Sequence, residues 1–177
     1  MPPLLGLILG GARSGKSRHA ESLITAFPPP WIYIATAAAW DDEMRHRIHE
    51  HQARRDRSWQ TVEAPLALAA ALDEAGSRPV LVDCLTLWLT NLILGERDIA
   101  GGIPASITAL EQALARRSAP TILVASEVGL GIVPDNALAR RFRDEAGLLH
   151  QRIAARANHV VLVAAGLPLM LKQEPHA

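Results

Sequence analysis

A glycine-rich segment near the start of the chain constrains the fold more than any other feature. It fits the pattern G-x-x-x-x-G-K-[ST] and reads Gly10, Gly11, Ala12, Arg13, Ser14, Gly15, Lys16, Ser17. The apolar run Leu4–Leu9 precedes it, and a helical pattern from Lys16 to about Ala26 follows it. A strand, a loop and a helix in this order predict a phosphate-binding loop, whose backbone N–H groups and helix N-terminus bind phosphate oxygens. The alternative is an ordinary glycine turn between a strand and a helix.

Two side chains of this loop have predicted roles, and a third residue completes the site. Lys16 reaches the β and γ phosphates of a nucleotide, and the Ser17 hydroxyl is a ligand for Mg²⁺. A phosphate loop usually needs an acid at the tip of another strand to hold the water shell of the Mg²⁺. Asp83 follows the apolar run "PVLV" and supplies one. Alternatively, Asp83 caps the helix that follows, for which Thr86 is a competing cap.

Further apolar runs of strand length alternate with helical patterns. The runs are Leu4–Leu9, Trp31–Ala35, Pro79–Asp83, Thr121–Ala125 and Val160–Ala164, with a shorter candidate at Ser58–Glu63 and a terminal hairpin strand at Pro168–Lys172. Further helices are predicted from Asp42 to about Arg55 and over Pro65–Ala75, Leu85–Leu94, Ile103–Arg117 and Asn136–Ala157, with a loop over Gly95–Gly102. Runs that are apolar on both faces are typical of parallel strands covered by helices. The pattern predicts a three-layer α/β fold of the P-loop NTPase type, with a mostly parallel sheet and an antiparallel C-terminal edge strand.

Length and charge limit the remaining classes. A chain of 177 residues predicts one domain spanning residues 1–177. The formal net charge of zero provides no basic field for nucleic acid or anionic lipid, so we expect neither as a partner. The lone Cys84 excludes an intramolecular disulfide and suits the cytoplasm. We expect no membrane segment, because Gly166 and Pro168 interrupt the longest later apolar run, and the run before the phosphate loop is a strand rather than a signal peptide.

The segment "DDEMRHRIHEHQARR" contains three histidines on different sides of a predicted helix. Met44, Ile48 and His51 recur at i, i+4 and i+7 and form one stripe. His51 therefore shares the apolar, inward face, whereas His46 and His49 lie largely on another side. Spacing alone leaves open whether His51 is functional or a satisfied core histidine. A metal site at His46 and Glu50, which are i, i+4 neighbours, has no further ligand to complete it.

The segment "SEVGLGIVPDN" follows the predicted strand Thr121–Ala125. It places Ser126 and Glu127 at the carboxyl edge of the sheet, where open α/β sheets bind ligands. Gly129 and Gly131 allow the backbone to approach a bulky substrate. The alternative is a glycine-rich connection leading into the helix at Asn136.

These blocks together resemble one enzyme family. "GGARSGKSRHAESL", "YIATA", "DDEMRHRIHEHQARR", "WQTVEAPL", "VLVDCLTLWLTNLI", "SEVGLGIVPDNALARRFRDEAGLLHQRIA" and "LVAAGLPLMLK" look like the bifunctional adenosylcobinamide kinase/adenosylcobinamide-phosphate guanylyltransferase of cobalamin biosynthesis, in the family's order along nearly the whole chain. The resemblance implies that a nucleoside triphosphate, ATP or GTP, phosphorylates the aminopropanol hydroxyl of adenosylcobinamide. GTP then guanylylates a protein histidine, and the corrinoid phosphate takes the GMP.

The resemblance also assigns residues. The guanylylated histidine falls on His51, and Lys16 is the second catalytic residue. Guanine-nucleotide contacts fall on Gly10 through Ser17, Ala35, Thr36, Ala37, Gln52, Ala53, Arg54, Arg55, Glu63 and Asp83. Some members have lysine in place of Gln52, which leaves Arg54 and Arg55 as phosphate-binding cations, and some have glutamate in place of Asp83. The loop after Thr121–Ala125 is assigned to the corrinoid side, and a small homo-oligomer such as a trimer is implied.

Three other functions compete with this expectation. The first is a small-molecule or nucleotide kinase without the guanylyl step, which needs only the phosphate loop and Asp83. The second is a nucleic-acid ATPase, which the zero net charge disfavours. The third is a nucleotide-binding module without catalytic turnover.

Overall fold

The computed structural model describes residues 2–37 and 56–175. The predicted helix from Asp42 to Arg55, with His51, lies outside the described residues.

A seven-stranded sheet forms the centre of the described chain. Its strands are β1 (Leu5–Gly10), β2 (Trp31–Ala35), β3 (Trp59–Glu63), β4 (Val80–Asp83), β5 (Thr121–Ser126), β6 (His159–Ala164) and β7 (Leu167–Gln173). They lie in the order β3-β2-β4-β5-β1-β6-β7, and every neighbouring pair is parallel except β6–β7. The mostly parallel sheet and its antiparallel C-terminal edge strand are confirmed, and so is the shorter strand β3.

Five α-helices are described around this sheet. They are α1 (Lys16–Ile24), α2 (Leu68–Glu74), α3 (Leu85–Leu94), α4 (Gly102–Arg116) and α5 (Ala137–Arg156), and a 3₁₀ helix, Glu96–Asp98, lies between α3 and α4. The stretch predicted as a loop over Gly95–Gly102 therefore contains a helical turn, and its Glu96 carboxylate pairs with Arg141 of α5 at 2.8 Å.

Alternating side chains of the strands build two cores, one on each face of the sheet. Leu7 and Leu9 of β1 pack in the core formed with α2, α3, α4 and α5. Ile8, between them in sequence, packs with Ala20 and Ile24 of α1 on the opposite face. Because successive residues of a strand point to opposite faces, strands covered on both faces must be apolar throughout. The three-layer arrangement predicted from the continuous apolar runs is confirmed.

One helix boundary differs from the sequence prediction for a clear reason. The helix predicted to begin at Pro65 begins at Leu68. Side chains of α3 use the preceding carbonyls: the Trp88 indole N–H donates to Leu66 O at 3.0 Å, and the Asn91 amide donates to Pro65 O at 3.0 Å. These carbonyls are therefore hydrogen-bonded to α3 and take no part in a helical turn.

Candidate nucleotide-binding and catalytic site

The phosphate loop lies at the carboxyl edge of the sheet, after β1, an inner strand between β5 and β6. Gly10 is the last residue of β1, and it pairs with Ser126 of β5 on one side and Val163 of β6 on the other. A Cβ at Gly10 would lie 2.5 Å from Ser14 Oγ and 2.6 Å from Val163 O, so no side chain fits there. Gly15 has φ of 95° and forms the N-cap of α1, a conformation that favours glycine. The loop geometry thus explains two of its glycines.

The side chains of the loop are arranged around its own backbone. The Lys16 ammonium donates to Gly11 O at 3.0 Å, so it lies over the loop. The Ser14 hydroxyl is buried, and the structure gives it no hydrogen-bond partner within residues 2–37 and 56–175. A buried hydroxyl without a partner costs free energy unless a ligand or solvent satisfies it. The loop therefore offers an ammonium group, backbone amides at the start of a helix and an unsatisfied hydroxyl to an anion.

The turn between β6 and β7 supports the loop from the side. Gly166 N donates to Ser14 O at 2.8 Å, and a Cβ at Gly15 would lie 3.3 Å from Gly166 Cα. Ala165 and Gly166 both have positive φ, 51° and 80°. The sequence analysis missed this contact, because nothing in "AAGL" indicates that a C-terminal hairpin turn lies against a loop near the N-terminus.

Asp83 lies at the end of β4, two strands away from β1. It pairs with Ala35 of β2 and Val124 of β5, and the Tyr33 hydroxyl donates to its Oδ2 at 3.1 Å. The alternative assignment of Asp83 as a helix cap is wrong, because Cys84, and not Asp83, is the N-cap residue of α3. Thr86 is not the cap either, since its Oγ1 accepts the Ser126 N–H at 2.6 Å. The Asp83 carboxylate is thus oriented by a tyrosine that the sequence analysis missed.

Thr36 joins the loop after β2 to the start of α3. It is completely buried, and its hydroxyl donates to Cys84 O at 2.7 Å and accepts the Cys84 N–H at 2.8 Å. Its carbonyl accepts the Asn91 side-chain amide at 2.8 Å. Thr36 therefore fixes the backbone next to Asp83, and a direct contact between Thr36 and a nucleotide stays a prediction. Ala35 and Ala37, its neighbours in the predicted nucleotide contact, are half-buried.

The lone thiol of the chain lies beside this network and is not a nucleophile at neutral pH. Cys84 is buried, and its burial together with the nearby Asp83 charge raises the pKa of the thiol to about 11. Only a thiolate attacks phosphorus or carbon efficiently, and a thiol with this pKa stays protonated. The cysteine belongs to the core under the site.

The register of the sheet places a second acid near Asp83. Ala35 pairs with Glu63 of β3 and with Asp83 of β4, so all three lie in one row across the carboxyl edge. Glu63 is exposed there. The other predicted nucleotide contacts, Gln52, Ala53, Arg54 and Arg55, and the predicted nucleophile His51 lie outside the described residues. Ala37, the last residue described before them, follows β2 at this same edge.

The segment after β5 also borders the phosphate loop. The Glu127 N–H donates to Gly10 O at 3.0 Å. Farther along, Leu130, Ile132 and Val133 are exposed, with Ile132 97% exposed. The chain then reaches a groove of about 260 Å³ lined by Thr90, Ile93, Leu94, Asn136, Leu138, Ala139 and Phe142. Apolar side chains exposed together in this way are typical of a binding surface.

The predicted Mg²⁺ ligands fit a metal that is bound mainly through a triphosphate. Ser17 is half-exposed in the first turn of α1, and Asp83 is half-buried at the strand end. Mg²⁺ prefers oxygen ligands, keeps several waters, and commonly uses one or two protein oxygens together with phosphates. Within residues 2–37 and 56–175, no group of three or more His, Cys, Asp or Glu side chains is arranged to hold a metal. A hydroxyl and an oriented carboxylate are the donor set that a phosphate-bound Mg²⁺ requires.

A phosphate loop between an inner strand of a mostly parallel sheet and a helix, with an acid at the end of a nearby strand, defines a P-loop nucleotide-binding enzyme. Within that class, residues 6–171 match the family model described as cobinamide kinase/cobinamide phosphate guanyltransferase. The chain belongs to this family.

Curated relatives agree with the family match. The chain is 54% identical to the bifunctional adenosylcobalamin biosynthesis protein CobP of Pseudomonas aeruginosa, over 96% of this chain and 98% of the relative. It is 43% identical to the CobU protein of the same description from Salmonella typhimurium and 42% identical to that of Escherichia coli, each over 94% of this chain and 98% of the relative. The chain is accordingly a bifunctional kinase and nucleotidyltransferase of adenosylcobalamin biosynthesis.

Solved structures with low identity show the same fold. One is a prototypical ATPase from a type III secretion system of pathogenic bacteria, with a TM-score of 0.56, 14% identity, and coverage of 93% of this chain and 56% of the other. Another is the ATPase EscN of enteropathogenic E. coli, with a TM-score of 0.53, 16% identity, and coverage of 91% and 42%. These likenesses confirm the P-loop fold predicted from the sequence. Among the described helices, none is long and apolar enough to cross a membrane.

Proposed function

We propose that the chain phosphorylates adenosylcobinamide and then converts the product to adenosylcobinamide-GDP through a guanylyl group carried on His51. The observation that carries the proposal is the position of the phosphate loop and Asp83 at one sheet edge, in a chain that matches the family over residues 6–171. Adenosylcobinamide as the acceptor, GTP or ATP as donors, Mg²⁺ and the histidine intermediate are parts of this proposal.

In the first step the aminopropanol hydroxyl attacks the γ phosphorus of the bound nucleotide. The backbone amides of Gly10 through Ser17 and the Lys16 ammonium bind the β and γ phosphates and stabilise the charge on the transferring group. Ser17 and Asp83 would hold Mg²⁺, which neutralises charge on the triphosphate when it is bound. Phosphoryl transfer depends mainly on positioning and charge neutralisation, so these residues account for the kinase activity.

In the second step a neutral imidazole of His51 attacks the α phosphorus of GTP. An N–P bond forms and pyrophosphate leaves. The phosphate oxygen of the corrinoid product then attacks the same phosphorus, and the N–P bond breaks. An unperturbed histidine has a pKa near ~6.5 and is mostly neutral at pH 7, as a nucleophile must be. We propose that Ala35, Thr36, Ala37, Gln52, Ala53, Arg54, Arg55 and Glu63 complete the nucleotide site.

The cellular setting is also proposed. We propose a cytoplasmic enzyme that forms a small homo-oligomer such as a trimer and has no nucleic-acid partner. A lone buried cysteine is consistent with the cytoplasm, and a net charge of zero is consistent with the lack of a nucleic-acid partner.

A double-label assay tests the proposal. The protein is incubated with adenosylcobinamide, Mg²⁺ and GTP labelled either at the α or at the γ phosphorus. We expect both labels in adenosylcobinamide-GDP, because the γ phosphate enters in the first step and GMP enters in the second. In His51→Ala only the γ label should enter the corrinoid, as the monophosphate. His49→Ala, two positions from His51 and on another side of the predicted helix, is the matched control and should incorporate both labels.

The competing functions have distinct outcomes in the same assay. Incorporation of the γ label alone by the unmodified protein would indicate a kinase without the guanylyl step. Failure to label the corrinoid, with nucleotide hydrolysis stimulated by DNA, would indicate a nucleic-acid ATPase.

A further inference from the structure

Glu127 is fixed beside the residue that opens the phosphate loop. Ser126, the last residue of β5, pairs with Gly10, the last residue of β1. The next residue, Glu127, donates its backbone N–H to Gly10 O at 3.0 Å. The start of the loop after β5 is therefore hydrogen-bonded to the start of the phosphate loop, and the two cannot move apart without breaking this bond.

The Glu127 carboxylate is held by its own turn. Its Oε1 accepts the Gly129 N–H at 2.5 Å, and the residue is half-buried. On the strand side, the Thr86 hydroxyl accepts the Ser126 N–H and joins the end of β5 to α3. The backbone before Glu127 is thus fixed by Thr86, and its carboxylate is held by the Gly129 N–H.

A buried histidine lies within the electrostatic reach of this carboxylate. His150 of α5 is 7% exposed, and its Nε2 has no hydrogen-bond partner within the described ranges. Burial lowers the pKa of His150, and the Glu127 charge acts in the opposite direction. The imidazole is therefore mostly neutral at pH 7 and does not form a strong ion pair with Glu127.

The position of Glu127 also suits the acceptor substrate. Asp83 follows β4 and Glu127 follows β5, the strand between β4 and β1. The loop that continues from Glu127 exposes Leu130, Ile132 and Val133, which provide apolar surface for a bulky molecule. Along the chain, Glu127 lies between Ser126, which pairs with Gly10, and this apolar loop, so an acceptor bound against the loop would lie close to both Glu127 and the start of the phosphate loop.

We propose that Glu127 is the general base of the phosphorylation step, an inference that rests on the proposed function. The hydroxyl oxygen of the acceptor forms a bond to the γ phosphorus, and the bond from that phosphorus to the β–γ bridging oxygen breaks. Its electron pair leaves with the nucleoside diphosphate. The hydroxyl proton passes to the Glu127 carboxylate, which later releases it to water. Guanylyl transfer needs no such base. Its two nucleophiles are a neutral imidazole and a phosphate oxygen, and neither has a hydroxyl proton to lose.

The two half-reactions are therefore measured separately in Glu127→Gln. Single-turnover phosphorylation of adenosylcobinamide should slow by about 100-fold or more, the usual contribution of a general base. Guanylyl transfer from GTP to supplied adenosylcobinamide phosphate should stay within about threefold of the unmodified protein, which also shows that the variant is folded. Glu74→Gln is the matched control and should leave both rates unchanged, because Glu74 is an exposed acid at the end of α2, before the amino end of β4 and away from the carboxyl edge.

Two results would overturn the assignment. One is phosphorylation by Glu127→Gln within about threefold of the unmodified protein. The other is an equal loss of both half-reactions, which would make Glu127 a support for the whole nucleotide site. If the unmodified protein itself fails to phosphorylate adenosylcobinamide, the proposed function fails, and this outcome is distinct from the other two.

Discussion

Replacing Thr36 by valine removes one hydroxyl that satisfies two buried backbone groups. Thr36 is fully buried, and its hydroxyl bonds both the N–H and the C=O of Cys84. Valine has nearly the same shape, so the change leaves no large cavity. Its methyl group cannot form either hydrogen bond, and no water reaches the position without rearrangement. Two backbone groups at the start of α3 thus lose their partner.

The expected loss of stability follows from these two groups. A buried polar group left unsatisfied costs about 1–3 kcal/mol, so Thr36→Val should lower the free energy of unfolding by about 2–4 kcal/mol after some relaxation. For a chain of this size, each kcal/mol lowers Tm by about 2–4 °C, which gives a total of about 5–15 °C. Both activities should also fall, because Asp83 directly precedes the released Cys84.

Urea and thermal unfolding of three proteins test this estimate. The unmodified protein and Thr36→Ser, which keeps the hydroxyl, should unfold at similar midpoints, and Thr36→Val should unfold well below both. If Thr36→Val is as stable as Thr36→Ser, the hydroxyl does not hold Cys84 and the role given to it is incorrect. If it loses stability but keeps full kinase and guanylyl activity, the Thr36–Cys84 link does not position Asp83.

Three further predictions concern the phosphate loop, the strand-end acid and an ion pair remote from the site. Lys16→Ala should lower both activities by orders of magnitude, because its ammonium binds the phosphates. The circular dichroism spectrum should stay unchanged, since the only hydrogen bond of this ammonium in the described structure is to Gly11 O, and near-normal phosphorylation would contradict the phosphate-loop assignment. Asp83→Asn should reduce turnover and its Mg²⁺ dependence far more than Tm, since Cys84 rather than Asp83 is the N-cap residue of α3 and an amide oxygen can still accept the Tyr33 hydroxyl; a large fall in Tm with little change in rate would contradict this role. Glu111 is bonded by Arg152 at 2.6 and 2.9 Å, which holds the pKa of this carboxyl below its ordinary value of 4.5. The stabilising contribution of the Glu111 carboxylate is therefore complete above pH 4.5 and is lost as the pH falls through the lowered pKa. In urea unfolding, Glu111→Gln should be less stable than the unmodified protein at pH 7 and equally stable in strong acid.

The strands and the phosphate loop could be predicted because their determinants are local. A run such as Ile32–Ile34, apolar at every position, is compatible with a strand covered on both faces and with little else at that length. The loop glycines and Lys16 stand at the fixed spacing of the phosphate-loop pattern, so they can be recognised without knowledge of the fold. The class of fold follows from these local patterns, and so does the position of Asp83 at a strand end.

The supports of the site could not be predicted, because they join residues that are far apart in sequence. The Tyr33 hydroxyl reaches Asp83 only because β2 and β4 are neighbours in the sheet. In the same way, Gly166 reaches Ser14 only because β6 lies next to β1. A tyrosine within an apolar strand was the one available signal, since a buried phenol usually finds a hydrogen-bond partner. Strand order is a property of the whole fold, and no local pattern encodes it.

The covalent step is the central claim of the proposed function, and peptide mass spectrometry tests it most directly. The protein is incubated with GTP and Mg²⁺ without a corrinoid, digested at alkaline pH and compared with a sample treated with acid. We predict one guanylyl group on His51 that survives base and is lost in acid, as a phosphoramidate should be, and no such group in His51→Ala. A guanylyl group on His46 or His49, or an active protein that never carries one, would contradict the account.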